Sequence, residues 1–275
     1  MNVVVLSCGR LGAEVATALI EVPGVERVTL ATAPYRAKRT PQTLPARLRA
    51  VHRAAGLPGV AAAVAGRLLA PFRRPNGAAA PVPWPALPAG VEHLRFADFH
   101  DPDALAALRA LAPDLGVVAG TYILRESVFG IPAQGMINLH SGKVPEYRGA
   151  APAFWELYNG EESVGITIHR VTAALDAGHI LAQEQFPLDP APPGDPLTYL
   201  DHYRRAVLRP NGVRLLAQVV GQLATGTARE RPQPLEGART YRSPDYRAVR
   251  ELRRRVRRRR AARRTGHRLI RETTT

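Results

Sequence analysis

Apolar and polar positions alternate along this chain in short blocks that predict strands separated by helices. Residues 2–7 form a mostly apolar, β-branched run that predicts a buried strand, and Gly9 and Gly12 end it before an amphipathic helix pattern. The same reading predicts later strands near 25–31, 92–95, 115–119, 136–139, 165–171 and 179–187, and helices near 101–111, 151–158 and 195–225. Strands that alternate with helices indicate an α/β fold built on a mostly parallel sheet.

Two stretches depart from this pattern. Residues 34–88 are rich in alanine, arginine and proline and contain two short helix patterns, so we interpret them as a helical insertion. It serves either as a lid or solvated cover, or as a hairpin that binds a membrane surface or a partner. Residues 226–275 form a short Arg-rich extension, for which we expect a solvated helix or a frayed tail. The remaining residues, 1–225 apart from the insertion, are expected to form one catalytic domain.

The charge of the chain is concentrated at one end. Fourteen arginines and only three acidic residues lie between Arg242 and Glu272, and they account for most of the formal net charge of +15. Nucleic-acid binding through this segment is an alternative, although the body of the chain does not favour it. The single cysteine, Cys8, excludes an intrachain disulfide and fits a reducing, cytoplasmic setting. No leader and no membrane-spanning apolar run are apparent, and nothing indicates an oligomeric state.

Candidate chemistry is concentrated between Asn138 and Gln183. Asn138 and His140 end an apolar run that predicts a buried strand with an exposed tip, and residues two apart share one face of a strand. An amide donor and an imidazole on one face can hold an oxyanion while a proton moves. A following hairpin-like pair of strands is expected to return Asp176 toward His140.

These residues resemble the formyltransferase family, which transfers a formyl group from 10-formyltetrahydrofolate to an amine. The likeness extends over about residues 1–225 and implies a Rossmann-like sheet, the formyltransferase fold. The motifs that carry it are an Asn-x-His pair, a proline loop ending in Arg-Gly, a Pro-Trp helix start, a Gly-Thr-His strand and an Asp-x-Gly turn. In this chain they are Asn138, His140, Pro145, Arg148, Gly149, Pro152, Trp155, Gly165, Thr167, His169, Asp176 and Gly178.

The resemblance also implies roles for individual residues. Asn138, His140 and Asp176 are expected to be catalytic, and no metal is required. The pterin of 10-formyltetrahydrofolate is expected against two segments, represented by Tyr122, Ile123, Leu124, Ala173 and Leu175. Three further residues are expected to contact the acceptor or support the catalytic groups: Lys143, Arg148 and His169.

The acceptor is left open by one departure from the family pattern. Many members carry Ser-Leu-Leu-Pro after the histidine, whereas this chain has Gly142, Lys143, Val144 and Pro145. Our first hypothesis is a primary amine on a small molecule, such as an amino sugar attached to a nucleotide. The alternatives are methionyl-tRNA and a non-enzymatic nucleic-acid-binding protein on a formyltransferase scaffold. A dinucleotide-dependent dehydrogenase is weakly supported, because CGRLG departs from the GxGxxG fingerprint.

Overall fold

The computed structural model describes residues 1–35, 56–57, 86–234 and 236–272, with side chains described as far as Thr265. The insertion expected at 34–88 therefore lies almost entirely outside the described residues. The chain divides into two compact units. The first comprises Met1–Tyr35, Pro85–Asp189 and Leu197–Arg242, and the second includes Pro190–Pro196 and the segment from Ser243 onward.

The described elements follow the predicted order of strands and helices. The strands are β1 Asn2–Ser7, β2 Arg27–Thr32, β3 Val91–Arg95, β4 Leu115–Val118, β5 Met136–His140, β6 Arg148–Gly149, β7 Ser163–Arg170, β8 Ile180–Pro187 and β9 Thr240–Tyr241. The helices are α1 Leu11–Leu19, α2 Pro102–Ala110, α3 Glu126–Phe129, α4 Phe154–Asn159, α5 Pro196–Tyr203, α6 Arg209–Ala224 and α7 Tyr246–Glu272.

Within the described residues, seven strands form one sheet in the order β3-β2-β1-β4-β5-β7-β8. The first five are parallel, and β7 pairs antiparallel with both β5 and β8. The central strands β1 and β4 are almost wholly buried, which explains their continuous apolar runs, because helices cover both faces of a parallel sheet. The predicted α/β fold with a mostly parallel sheet is confirmed.

The pairing of β5 with β7 aligns the chemistry-bearing residues. Asn138 lies opposite His169, and His140 lies opposite Thr167. The β7–β8 register shifts between Ile168 and His169, which marks a bulge beside the predicted site. Bulges commonly re-aim one side chain, and here the affected residue is a histidine.

Two helix boundaries differ from the sequence prediction for backbone reasons. Helix α4 begins at Phe154 rather than near Ala151, because Ala151 and Ala153 adopt left-handed conformations with φ of 67° and 62°. The single helix predicted near 195–225 is divided by a π-helical segment, Arg204–Leu208, that joins α5 to α6. Pro210 lacks the N–H needed for an ordinary helical bond, so the turn before it widens.

The Arg-rich extension contains the long helix α7. Leu252 and Val256 are fully buried on it, while many of its arginines are exposed. Glu251 forms ion pairs with Arg254 and Arg255 one turn away, and Arg253 pairs with Asp195 at 2.8 Å. In the part of the chain that the structure describes, no helix combines the length and apolar character needed to cross a membrane.

Gly12 and Gly9 provide a matched test of the first turn. A β-carbon on Gly12 would overlap the side chains of Ser7 and Leu30, whereas one on Gly9 would meet no atom within 4 Å. We therefore expect Gly12→Ala to lower the free energy of unfolding by about 1–3 kcal/mol through overpacking. Gly9→Ala should change it by less than about 0.5 kcal/mol. Urea denaturation measures both, and equal effects would contradict this packing.

Candidate active site

His140 is the last residue of β5, and it is buried rather than exposed. The predicted exposed tip is wrong, since only 8% of His140 is accessible. The cause is the loop of residues 141–147, which folds over the strand end. Its Tyr147 carbonyl accepts a hydrogen bond from His140 Nε2 at 2.7 Å. Because a carbonyl can only accept, Nε2 carries a proton and Nδ1 is the basic atom of the neutral ring.

This loop is held close to the sheet by polar contacts and by two glycines. Thr167 Oγ1 donates to the Gly142 carbonyl at 2.8 Å, and Gln183 Nε2 donates to the Val144 carbonyl at 2.9 Å. A β-carbon on Gly142 would lie 2.5 Å from His140 Nε2, and one on Gly165 would lie 2.6 Å from the Lys143 backbone. Gly142, where the family pattern often has serine, therefore permits the contact between His140 and Tyr147.

Asp176 lies in the turn between β7 and β8, and its side chain reaches β5. Its Oδ2 accepts a hydrogen bond from the Gly149 backbone N–H at 2.8 Å and lies 3.6 Å from His140 Nδ1. Its Oδ1 lies 3.5 Å from Asn138 Nδ2 and 3.5 Å from His169 Nε2. Asp176 itself adopts φ of 47°, a left-handed conformation that aspartate tolerates in turns. The structure thus brings together all three residues predicted to be catalytic.

The electrostatics of the pair follow from burial and from these contacts. Burial alone would raise the pKa of Asp176, but His169, His140 and the Gly149 N–H outweigh it and lower that pKa to about 2. Burial lowers the pKa of His140 below its ordinary value, against the opposing effects of Asp176 and the Tyr147 carbonyl. A carboxylate therefore faces a neutral imidazole at pH 7.

His169 supports Asn138 from the neighbouring strand. Only 2% of it is accessible, and its Nδ1 donates to the Arg170 carbonyl at 2.8 Å. Its Nε2 is then an acceptor, and Asn138 Nδ2 donates a hydrogen bond to it over an N–N distance of 3.1 Å. This bond orients the Asn138 amide, so His169 positions a predicted catalytic residue.

Arg148 acts through a residue that the sequence reasoning missed. Its guanidinium donates to Gln233 Oε1, with the shorter contact at 2.8 Å. Gln233 Nε2 in turn donates to the carbonyls of Asp176 and Gly178 at 3.0 and 2.7 Å. Arg148 therefore braces the Asp176 turn through Gln233. No motif marks Gln233, because it lies 57 residues from Asp176 in an irregular segment.

Lys143 lies beside the site, but its charge is already met. Its Nζ forms an ion pair with Glu146 at 3.1 Å, and both side chains are about 40% exposed. An exposed pair of this kind contributes little stability, and either partner can exchange for another. Lys143 is therefore not an isolated cation awaiting an anionic group.

The residues predicted to contact the pterin differ in exposure. Ile123 is 73% and Leu175 42% exposed. Ala173 is also exposed, whereas Leu124 is buried. Tyr122 donates its hydroxyl proton to Asp98 at 2.7 Å and is anchored on the protein side.

Metal binding is not supported by the residues that the structure describes. Among them, no group of three or more histidine, cysteine or acidic side chains is arranged to hold a metal ion. The cluster of His140, His169 and Asp176 is instead linked by hydrogen bonds and by contacts of 3.5–3.6 Å.

Comparison with known proteins identifies the segment that carries these residues. Residues 73–198 match the family model described as formyl transferase. The match covers less than half of the chain. The resemblance read from the Asn-x-His and Asp-x-Gly motifs is confirmed.

Relatives of this formyl transferase segment include two methionyl-tRNA formyltransferases. The protein from Roseiflexus sp. (strain RS-1) is 39% identical over 162 residues, which cover 58% of this chain and 47% of that protein. The protein from Moorella thermoacetica is 37% identical over 165 residues, which cover 60% of this chain and 50% of that protein. The chain thus spans about half the length of the curated relatives it matches.

Solved structures confirm the formyltransferase fold. Glycinamide ribonucleotide transformylase 1 from Symbiobacterium toebii superposes with a TM-score of 0.54 at 20% identity, covering 85% of this chain and 94% of that chain. A sugar N-formyltransferase from Shewanella sp. gives a TM-score of 0.52 at 16% identity, covering 88% and 76%. At these identities the similarity concerns the fold alone.

The depressed pKa of Asp176 predicts a specific loss of stability in acid. Its folded pKa of about 2 lies below the ordinary value of 3.8, so the carboxylate stabilises the fold above about pH 4. That contribution, about 1–3 kcal/mol, is lost as the pH falls from about 4 toward 2. Asp176→Asn should therefore destabilise the protein at pH 7 and matter progressively less toward pH 3.

Urea unfolding at several pH values measures this difference. Asp103→Asn, which alters an exposed carboxylate on α2, is the matched control and should change little at any pH. A cost of Asp176→Asn that stays constant between pH 7 and pH 3 would contradict the assigned pKa.

Proposed function

We propose that this protein is an enzyme that transfers a formyl group from 10-formyltetrahydrofolate to a primary amine. The observation that carries the proposal is the arrangement of Asn138, His140 and Asp176 around one buried imidazole, within a formyl transferase segment. The reaction needs a group that stabilises negative charge on the formyl oxygen and a group that accepts a proton from the amine. These residues supply both.

Asn138 is the proposed donor to the formyl oxygen. One amide proton is committed to His169 at 3.1 Å, while the second faces Asp176 at the long distance of 3.5 Å. That second proton makes the weaker bond, so it is the one available to a substrate oxygen. Because His169 already holds the amide in place, the amide needs little reorientation when negative charge develops on the formyl oxygen. Such preorganisation is the basis of electrostatic stabilisation in active sites.

His140 is the proposed proton acceptor, acting at Nδ1. Its Nε2 proton is held by the Tyr147 carbonyl, so the neutral ring presents one basic atom. Asp176 lies 3.6 Å from that atom and stabilises the imidazolium once a proton arrives. A pKa lowered by burial keeps the ring neutral and ready at pH 7.

The donor is expected to lie against the segments of residues 122–124 and 173–175. Exposed Ile123 and Leu175 fit the apolar face of a pterin ring. 10-Formyltetrahydrofolate supplies the activated one-carbon group, and the protein supplies position, charge and exclusion of water.

A small-molecule amine is our first choice of acceptor. Lys143, which is paired with Glu146 at the surface, and Arg148, which donates to the neutral amide of Gln233, are the cations of the described site. Within the small-molecule class, an amino sugar attached to a nucleotide remains our hypothesis.

Methionyl-tRNA is the second candidate acceptor. The relatives named above carry that activity in their names, and the exposed arginines of α7 offer charge for phosphates. Formylation of methionyl-tRNA that weakens steeply with salt would favour this candidate. Binding of nucleic acid without any transfer would favour the non-enzymatic alternative, and detectable NAD binding would revive the dehydrogenase.

Substitution of His140 and of Asn138 tests the proposed roles. His140→Ala should lower the rate of transfer by about 10²–10⁴-fold, the usual worth of a positioned general base. Asn138→Ala should lower it by about 10²–10³-fold through loss of the oxyanion donor. The measurement is release of tetrahydrofolate from 10-formyltetrahydrofolate with a panel of amine acceptors. His179→Ala is the control, since that histidine side chain is 60% exposed and does not contact the cluster.

Near-normal transfer by His140→Ala would overturn the assignment. Circular dichroism spectra that match the unsubstituted protein establish that each variant is folded.

The lowered pKa of His140 predicts the pH dependence of the reaction. Transfer requires the neutral ring, so kcat/KM should fall with acid only below the ordinary histidine value of 6.5. Asp176→Asn removes a nearby negative charge, so the acid limb of its residual activity should move to still lower pH. An acid limb of the unsubstituted enzyme at or above pH 6.5 would be inconsistent with a buried, neutral base.

A further inference from the structure

The loop that covers His140 also lines a polar cavity. The cavity has a volume of about 390 Å³ and is separate from the cluster around Asp176. Tyr147 belongs to both places, because its carbonyl accepts a hydrogen bond from His140 and Tyr147 also lines the cavity. The carboxylates in the wall belong to Glu146, Glu156 and Glu161.

Two of these carboxylates have buried oxygens without any hydrogen-bond partner. They are Glu146 Oε2 and Glu156 Oε1, and the described residues contain only two other such side-chain atoms, both arginine nitrogens. Glu156 is 3% exposed, which is exceptional for a glutamate. A buried acceptor without a partner is costly, so a bound molecule that donates hydrogen bonds would stabilise both oxygens.

Neighbouring side chains do not fill this need. Lys143 bonds the other oxygen of Glu146, and the Tyr147 hydroxyl donates to Glu161 at 2.8 Å. The positive charge of Arg204 favours the ionised form of Glu156, but Arg204 Nε donates its hydrogen bond to the Pro152 carbonyl at 2.8 Å. Burial raises the pKa of Glu156 to about 7, with a further increase from Glu161 and an opposing effect from Arg204. Glu156 therefore gains most from a ligand that brings positive charge.

The chemistry of the wall narrows the class of ligand. Unpaired carboxylate oxygens need donors, and a cation satisfies them most strongly. A metal ion does not fit, because the described acidic side chains do not converge as a group of three. Lys143 and Arg239 also line the cavity, so its carboxylates outnumber its cations by one, and the rings of Tyr147 and Tyr241 stack with centroids 5.3 Å apart. The volume accommodates a small organic molecule rather than an ion.

We propose that this cavity binds the ammonium-bearing part of a small organic amine through Glu156 and Glu146. That this amine is the acceptor for formyl transfer rests on the function proposed above. An acceptor held in this way carries donor groups, such as a second amine or hydroxyls, at some distance from the nitrogen that is formylated.

Calorimetric titration of the full chain without any formyl donor tests the proposal. The probes are glucosamine and putrescine, compared with N-acetylglucosamine and N,N′-diacetylputrescine, which carry no ammonium charge. At least one ammonium form should bind at least about tenfold more tightly than its acetylated form. Glu156→Gln and Glu146→Gln should each weaken that binding by at least about tenfold, since an amide cannot replace the negative charge.

Glu162→Gln is the matched control, because this exposed glutamate lies next to Glu161 and outside the cavity wall. It should bind the probes as the unsubstituted protein does. Two outcomes would overturn the proposal: acetylated and ammonium forms that bind equally or not at all, or binding that both cavity variants leave unchanged. Having two cavity variants keeps the test decisive if one of them fails to fold.

This experiment separates failure of the cavity from failure of the proposed reaction. Ammonium binding without transfer to any amine would remove the formyltransferase proposal and leave the binding site in place. Transfer that depends on His140 but is insensitive to Glu156→Gln and Glu146→Gln would support the formyltransferase proposal. It would show that the amine bound in the cavity is not the acceptor.

Discussion

The Asp176 carboxylate is the interaction on which the rest of the site depends. It joins the β7–β8 turn to β5 and to the Gly149 backbone, which are distant in sequence, and each contact is made by a different group. A carboxylate that accepts hydrogen bonds from the Gly149 N–H and the Asn138 amide stays ionised, in keeping with its lowered pKa. Its backbone is braced by Gln233, and through Gln233 by Arg148. The turn is thereby fixed in position before any substrate arrives.

Burial of His140 is the second constraint, and it works against the first. Asp176 favours the charged imidazole, whereas the loop of residues 141–147 removes it from water and favours the neutral form, which prevails. The result is a ring that is neutral at rest and is stabilised once it takes up a proton. Gly142 makes this possible, since any side chain there would meet His140. This departure from the family pattern therefore leaves room for the loop to close over the proposed base, His140.

Much of the fold and part of the site were predictable from sequence, for identifiable reasons. Apolar runs set the strands, and the two-residue spacing of Asn138 and His140 placed them on one face. Three features were not predictable: the burial of His140, the role of Gln233 and the unpaired Oε1 of Glu156. Each depends on how the folded chain packs around the residue, which its neighbours in sequence do not determine. Local patterns report periodicity and turn chemistry, but they do not report which loop covers a strand end or which carboxylate lacks a partner.

The protonation of His140 is the central physical claim, and ¹⁵N NMR of histidine-labelled protein measures it directly. Ring nitrogen shifts distinguish the charged ring and each neutral tautomer. The account predicts a neutral His140 at pH 7 with its proton on Nε2, donated to the Tyr147 carbonyl. An imidazolium at pH 7, or a neutral ring with its proton on Nδ1, would contradict it.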